Sequence, residues 1–201
     1  MKLYLKPGAC SLSPHIVLRE SGLAFDLATV DLAAKTLADG GDFLAVNPKG
    51  QVPTLALDEG GVLTEGAAIV QYVADRAPES GLLPPVGSLE RYRVLEWLNF
   101  VGTELHKTFS PLFRPNTPDG FKDIVKQTLS AKFAVVEAGL AGKDYLTGDR
   151  FTVADAYCFT VLRWAPRIGL PLDGYPNITA YMARVAERPA VAGALAAEGI
   201  A

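Results

Sequence analysis

Hydrophobic and polar residues alternate at the start of the chain and recur at helical spacing soon after. Residues 2–6, KLYLK, alternate and predict a short strand. Residues 11–21 carry apolar side chains at helical spacing, and Gly22 is suited to end that helix. Residues 25–30, FDLATV, predict a second strand. Because a short crossover joins the two strands, we expect a parallel pair with a right-handed connection.

The following stretch predicts a hairpin and a further helix. We expect loop and a short helix over residues 31–46, and a hairpin over residues 54–64, in which a glycine-rich turn joins TLAL to VLT. Thr64 is predicted to cap a helix that runs from Glu65 to about Arg76. This order of elements is that of a thioredoxin-like α/β domain, with a mixed sheet and helices on both faces.

A segment rich in proline and glycine separates this part from a second part without strand patterns. Residues 80–87, SGLLPPVG, predict a linker between a thioredoxin-like domain of residues 1–79 and an all-helical domain of residues 88–201. In the second domain, Thr152 and Asp155 form a predicted capping box. The predicted helices there cover residues 89–112, 117–139, 152–167, 176–187 and 190–198.

Composition narrows the possible partners. The chain has 201 residues, of which 49% are hydrophobic and 20% charged, and this favours a packed core over disorder. A net charge of -3 argues against nucleic acid. We expect no membrane partner, since no apolar run approaches the roughly 18 residues of a spanning helix and the chain opens on a strand pattern rather than a signal segment. Two distant cysteines predict a reducing, cytoplasmic setting, and two histidines without a cysteine cluster predict no metal site.

Cys10 lies where the first predicted helix begins. A thiol at a helix N-terminus feels the positive end of the helix dipole, which favours the reactive thiolate. A small residue that fills the corner between strand and helix is the equally weighted alternative. Ser13 stands where a C-x-x-C pair would have its second cysteine. Cys10 therefore lacks a resolving partner in the motif, and its expected oxidised partner is an external thiol.

Two further pairs, Val52-Pro53 and Glu65-Gly66, have features of a site for a peptide-like ligand. If the Val52–Pro53 bond is cis, the backbone groups of Val52 point outward unpaired and can bind an extended peptide. An edge-strand proline that blocks aggregation is the alternative. Glu65 and Gly66 begin a helix, where N–H groups bind a carboxylate and a glutamate can pair with an ammonium group. Taken alone, however, a glutamate in a first helical turn is explained better by helix stability.

In combination and order, these motifs resemble those of the cytosolic glutathione transferases, most closely the bacterial beta class. The resemblance spans essentially all of the chain. It is carried by five segments: GACSLSPH around Cys10, NPKGQVPTL around Pro53, LTEGAAI around Glu65, ELHKTF around His106, and FTVADAY at the capping box.

The resemblance implies that glutathione is the co-substrate and that it lies along the first domain. Val52 would pair with the cysteinyl backbone of glutathione beside a cis Pro53, and Glu65 and Gly66 would hold the γ-glutamyl head. Lys35 would approach the glycyl carboxylate. Cys10 would contact the glutathione sulfur and could form a mixed disulfide with it.

Further positions of the second domain match beta-class residues around the thiol and the interface of a homodimer. These are Asn99, Thr103, Glu104, His106 and Lys107. His106 is expected to be catalytic with Cys10, because an imidazole can stabilise a thiolate or relay a proton. Ser11 and His15 are expected to support the site, and His15, Lys35 and Lys49 are candidate positive neighbours of the thiol. Leu112, Phe113 and Trp164 are expected to line the electrophile pocket in the helical domain.

The implied activity is conjugation of glutathione to small hydrophobic electrophiles, a detoxification reaction. Glutathione-dependent thiol–disulfide or peroxide chemistry through Cys10 is expected beside it. A transferase-like binding or regulatory protein without catalysis is the alternative. One position departs from the pattern: many relatives have serine where this chain has Gly66. Without that hydroxyl, backbone N–H groups must do more of the binding, and glutathione affinity is expected to fall.

Overall fold

The structure, a computed structural model, describes residues 1–201 and divides them into two compact units. The first unit consists of Met1–Leu83 together with Arg188–Ala201, and the second of Pro84–Glu187. The division near residue 83 lies within the predicted linker. The predicted helical domain of residues 88–201, however, differs from the second unit at its C-terminal end, because the structure groups residues 188–201 with the first unit.

A five-stranded mixed sheet forms the centre of the first unit. The first strand lies in the middle, parallel to the second and antiparallel to the fourth, and the third and fifth strands form the edges. The thioredoxin-like arrangement is therefore confirmed, although one short edge strand lies in a segment predicted as loop and helix. The strands are β1 (Lys2–Leu5), β2 (Asp26–Asp31), β3 (Thr36–Leu37), β4 (Thr54–Ala56) and β5 (Val62–Thr64).

Four helices complete the first unit: α1 (Leu12–Ser21), α2 (Phe43–Val46), α3 (Gly66–Arg76) and α9 (Pro189–Ala197). The short 3₁₀ turn Pro78–Ser80 follows α3. As predicted, α1 ends at Gly22, whose φ of 71° is left-handed and costs little without a Cβ atom. Leu3, Ile16 and Ile69 are fully buried, so β1, α1 and α3 share one apolar core.

The second unit contains only helices. They are α4 (Leu89–Phe100), α5 (Lys107–Phe109), α6 (Asp119–Gly139), α7 (Val153–Leu162) and α8 (Pro176–Ala186). A π-helical segment, Val101–His106, joins α4 to α5, and two 3₁₀ turns, Ser110–Phe113 and Pro166–Ile168, follow α5 and α7. No helix in the structure is long and apolar enough to cross a membrane.

The prediction of one continuous helix over residues 89–112 was wrong, because the π-helical segment interrupts it. The hydroxyls of Thr103 and Thr108 donate to the carbonyl oxygens of Asn99 and Glu104, at 3.0 and 2.6 Å. Such back-bonding competes with the regular helical ladder, and π turns of this kind occur most often at functional sites. Pro111 has no N–H to continue the helix, which then ends as a 3₁₀ turn.

The capping box of α7 is present as predicted. The backbone N–H and the hydroxyl of Thr152 each donate to Oδ2 of Asp155 at 2.9 Å, and the N–H of Leu146 donates to Oδ1, also at 2.9 Å. Burial raises the pKa of Asp155 to about 6, against the opposing effect of these donors. Every residue of α7 is buried, so this box fixes a helix that lies wholly inside the second unit.

The predicted cap of α3 was wrong. The N-cap is Glu65 rather than Thr64, and its side chain makes no capping hydrogen bond. The hydroxyl of Thr64 instead accepts a hydrogen bond from Nζ of Lys49 at 2.9 Å. The first turn of α3 thus begins without the side-chain cap that the sequence suggested.

Candidate functional site

Cys10 lies in the turn between β1 and α1, and it is partly buried. Its Sγ atom donates a hydrogen bond to the carbonyl oxygen of Val52 at 3.3 Å. The Val52–Pro53 peptide bond is cis, as the family resemblance implied. The expectation that the Val52 carbonyl is unpaired was wrong, because the thiol of Cys10 uses this acceptor. The cysteine and the cis-proline segment are therefore adjacent in the first unit.

Ser11 holds the turn that carries Cys10. Its hydroxyl accepts from the N–H of Lys6 at 3.1 Å and donates to the carbonyl oxygen of the same residue at 3.2 Å. Ser11 is fully buried, so both of these bonds are shielded from water. The hydroxyl therefore fixes the backbone just before the cysteine.

His15 is buried in a network that leads away from the thiol. Nε of Arg19 donates to its Nε2 at 2.9 Å, so the ring proton is assigned to Nδ1, which donates to Oε1 of Glu198 at 2.8 Å. The other carboxylate oxygen of Glu198 accepts from the N–H of Gly8 at 2.8 Å. His15 therefore has both ring nitrogens engaged by Arg19 and Glu198 rather than by the thiol of Cys10. It ties α1 and the cysteine turn to Glu198.

Glu65 adopts an unusual backbone conformation directly before α3. Its φ of 68° is in the left-handed region, which costs a residue with a side chain on the order of 1–3 kcal/mol. Its carboxylate is 72% exposed and pairs with Nζ of Lys49 at 2.8 Å. In the sequence Lys49 is only a candidate neighbour of the thiol, and no local signal marks it as the partner of Glu65.

Gly66 lies against the cis-proline. A Cβ atom built on Gly66 would meet only Cγ of Pro53, at 3.7 Å, which is an ordinary van der Waals contact. The N-terminus of α3 is therefore next to the Val52–Pro53 segment. Three features that the sequence suggested separately, the thiol, the cis-proline and the start of α3, meet at one edge of the first unit.

Lys35 contacts the loop that leads into Val52. Its backbone has a φ of 59°, and its Nζ donates to the carbonyl oxygen of Gly50 at 2.8 Å. The ammonium group thus lies beside the loop that leads into Val52, close to where the resemblance expects the glycyl carboxylate.

His106, in the second unit, ends the π-helical segment. Its Nδ1 forms a 2.6 Å hydrogen bond with Oη of Tyr157, and its ring packs edge-on against Trp164 with centroids 5.0 Å apart. Burial, and to a smaller extent the charge of Lys107, lowers the pKa of His106 to about 4. The imidazole is therefore neutral near pH 7, and it can act as a hydrogen-bond donor or acceptor rather than as a cation.

An aromatic cluster surrounds His106. Trp164 packs edge-on against Phe109 and Phe113, with centroids 5.6 and 5.5 Å away. Phe113 remains 52% exposed, and Leu112 is partly buried beside it. The predicted pocket residues Phe113 and Trp164 are thus in contact with each other. Tyr157 and Phe109 were not predicted, since apolar helix patterns do not distinguish core aromatics from those at a site.

The other predicted residues of this helix have different surroundings. Asn99, Thr103 and Lys107 are exposed and four residues apart, so they lie along one face. Glu104 is partly buried and pairs with Nζ of Lys132 on α6 at 2.6 Å. Glu104 is therefore engaged within its own unit.

Comparison with known proteins decides the family. The N-terminal domain model of the glutathione S-transferases matches residues 8–76, and the C-terminal domain model matches residues 100–189. The chain is 56% identical over 200 residues to glutathione S-transferase GstA of Escherichia coli O157:H7, and the match covers 100% of both chains. The chain belongs to the glutathione S-transferase family.

Solved transferase structures agree with this assignment. The beta-class glutathione S-transferase of Sphingomonas chungbukensis is 47% identical, with a TM-score of 0.97 and complete coverage of both chains. A sphingomonad glutathione S-transferase complexed with glutathione is 49% identical, with a TM-score of 0.96 and complete coverage of both. The chain is thus a glutathione transferase with the thioredoxin-like and helical domains of that family, and the non-catalytic alternative is not favoured.

Proposed function

We propose that this transferase conjugates glutathione to small hydrophobic electrophiles, with Cys10 and His106 as its catalytic residues. One observation supports the proposed glutathione site most directly. The Cys10 thiol, the backbone of Val52 and the start of α3 meet around the cis Pro53. A γ-linked tripeptide has a carboxylate and an ammonium group at one end, an extended backbone, and a thiol near its middle. The three features are complementary to those groups.

The charged ends of glutathione would be bound by named residues of the first unit, which makes the site specific for this tripeptide. Glu65 would bind the ammonium group of the γ-glutamyl head, and the N–H of Gly66 its carboxylate. Lys35 would bind the glycyl carboxylate, and Val52 would pair with the cysteinyl backbone. The strained backbone of Glu65 supports this assignment, because such conformations cluster at ligand sites.

For conjugation, glutathione must lose the proton of its thiol. The thiolate then attacks the electrophile, and the new carbon–sulfur bond replaces the bond to the leaving group, which departs with its electron pair. A neutral His106 would stabilise the sulfur anion by donating a hydrogen bond or would accept the thiol proton. The exposed Phe113 and the adjoining Trp164 would bind the apolar part of the electrophile.

Thiol–disulfide exchange is a second proposed activity, favoured by a cysteine without a resolving partner. The thiolate of Cys10 would attack the glutathionyl sulfur of a mixed disulfide and release the other thiolate. A glutathione thiolate would then attack the Cys10–glutathione disulfide, releasing glutathione disulfide and regenerating Cys10. This chemistry needs a reduced thiol, which supports a cytoplasmic location.

We also propose a homodimer with Asn99, Thr103, Glu104 and Lys107 near its interface. The exposed face that carries Asn99, Thr103 and Lys107 supports this placement. Large apolar side chains are also exposed on α4 of the same unit, including Leu89, which is 64% exposed.

The test compares Cys10→Ala with the matched control Cys158→Ala. Cys158 is fully buried, and burial together with the charge of Asp155 raises its pKa, so it should not react. We expect Cys10→Ala to abolish reduction of glutathione mixed disulfides and Cys158→Ala to retain it. Reduction that survives in Cys10→Ala would contradict the redox role, whereas failure of the wild type to bind immobilised glutathione would contradict the proposed site as a whole.

A further inference from the structure

We propose that Tyr157 is a positioning residue that holds His106 in one tautomer, with the ring proton on Nε2. The inference rests on the proposed catalytic role of His106 and deepens it. The imidazole of His106 could act either as a hydrogen-bond donor or as a base, and its tautomer decides between these two roles.

The contact between the two side chains is short and shielded. Oη of Tyr157 lies 2.6 Å from Nδ1 of His106, and the two rings meet edge-on at 88° with centroids 5.8 Å apart. Tyr157 is only 7% exposed. A hydrogen bond in such surroundings is stronger than one in water, because little solvent competes for either partner.

The tyrosine is also rigidly placed. It lies on α7 two residues after Asp155, whose carboxylate accepts three hydrogen bonds in the capping box. The imidazole is held from another side by Trp164, edge-on at 67°. Neither ring can therefore turn freely, and the hydroxyl faces Nδ1 rather than Nε2.

The proton position follows from the chemistry of the two groups. A phenol O–H is a better donor than the N–H of a neutral imidazole, and an unprotonated ring nitrogen is a better acceptor than a phenol oxygen. The hydroxyl therefore donates and Nδ1 accepts. A neutral imidazole carries one proton, so it must be on Nε2. Burial keeps His106 neutral near pH 7, since its pKa is lowered to about 4.

This tautomer decides between the two roles. An Nε2–H group can donate a hydrogen bond to a sulfur anion, but it cannot accept the proton of a thiol. His106 would then stabilise the glutathione thiolate electrostatically, and the proton would leave by another route. The opposite tautomer would make Nε2 a general base, so the two mechanisms require different proton positions.

The first experiment records nitrogen NMR spectra of the ring nitrogens at neutral pH. The chain has two histidines, so the spectrum of His106→Gln assigns both signals. We expect His106 of the wild type to show the Nε2–H tautomer and Tyr157→Phe to show a mixture. A wild-type Nδ1–H tautomer would overturn the proposal, as would a Tyr157→Phe spectrum identical to that of the wild type.

The second experiment is a double-mutant cycle with His106→Ala and Tyr157→Phe. Loss of one hydrogen bond predicts about a tenfold lower kcat for Tyr157→Phe, with KM for glutathione changed less than about twofold. In the His106→Ala background the same substitution should have no further effect. An equal fall in both backgrounds would show that Tyr157 acts only through the fold.

Tyr175→Phe is the matched control. Its hydroxyl donates to the carbonyl oxygen of Ser130 at 3.1 Å in the same unit, and it has no contact with His106. We expect Tyr175→Phe to retain the wild-type kcat. Full turnover in His106→Ala would contradict the proposed role of His106 while leaving the tautomer measurement valid, so the two failures can be told apart.

Discussion

The thiol of Cys10 donates to the same backbone carbonyl, that of Val52, beside which glutathione is proposed to bind. The 3.3 Å bond stabilises the protonated thiol, because a thiolate has no proton to donate. Cys10 and any ligand N–H group that reaches this carbonyl therefore compete for it.

This competition predicts how two substitutions of Cys10 differ. Cys10→Ala frees the carbonyl, so the affinity for S-methyl glutathione, which cannot form a disulfide, should rise by about two- to fivefold, as expected for one modest hydrogen bond. Cys10→Ser keeps a donor and should not show the gain. Isothermal titration calorimetry on the pair measures the effect, and equal affinities in the two variants would rule out competition.

Gly66→Ser should improve glutathione binding. The added Cβ atom has room, since it meets only Cγ of Pro53 at 3.7 Å. The hydroxyl provides a donor to the γ-glutamyl carboxylate, and hydrogen bonds to charged groups contribute about 1.5–3 kcal/mol, so a tenfold or greater tightening is expected. Gly66→Ala fits equally well but has no donor. If both variants gained the same affinity, added bulk rather than the hydroxyl would be responsible.

Substitutions of Glu65 should separate stability from binding. Glycine adopts a φ of 68° without strain, but it also loses more backbone entropy on folding than other residues. On balance Glu65→Gly should raise the free energy of unfolding by about 1 kcal/mol. Its affinity for glutathione should fall, because the carboxylate is lost. Glu65→Ala loses the carboxylate but keeps the strain, and it should lose affinity without gaining stability. Denaturant unfolding and glutathione titration of both variants test this, and equal stabilities would argue against strain at this position.

The buried His106 predicts a dependence of stability on pH. Its pKa is lowered in the folded state to about 4, so between roughly pH 6.5 and pH 4 the unfolded chain binds more protons than the folded one. Stability therefore falls with decreasing pH across this window, by about 3 kcal/mol in total. His106→Gln should remove this part of the dependence. Parallel pH dependences of the two proteins would show that His106 does not titrate as described.

Asp155 should have the opposite effect over an overlapping range. Its pKa is raised to about 6 in the folded state, so stability from this group is greatest at low pH and declines as pH rises from roughly 4 to 6. Asp155→Asn removes the titration, and the difference between its free energy of unfolding and that of the wild type should change with pH in that window only. Unfolding curves across the window measure this difference, and a constant difference would contradict the raised pKa.

Local signals predicted much of this molecule. Apart from the short strand β3, the order of strands and helices in the first unit was predicted, as were the end of α1 at Gly22 and the capping box of Thr152 and Asp155, because all of these depend on residues close in sequence. The interruption at residues 101–106 was not predicted, because an apolar pattern with helical spacing does not distinguish an α turn from a π turn.

The contacts that define the chemistry are non-local, and the sequence did not indicate them. Tyr157 is 51 residues from His106, and Glu198 is 183 residues from His15. Tyr157 lies in α7 and Glu198 directly follows α9, and burial alone explains the patterns of both helices. Their roles depend on how helices pack, and a hydrophobic pattern does not specify which polar atoms then meet.

The bond between Gly8 and Glu198 has a consequence for how the protein is made. The turn that carries Cys10 is secured by the carboxylate of Glu198, a residue 190 positions later in the sequence than Gly8. During synthesis the first 83 residues leave the ribosome long before that carboxylate exists. The turn can therefore reach its final hydrogen-bonded form only after Glu198 has been made, so its folding is completed later than the early position of Cys10 in the sequence suggests.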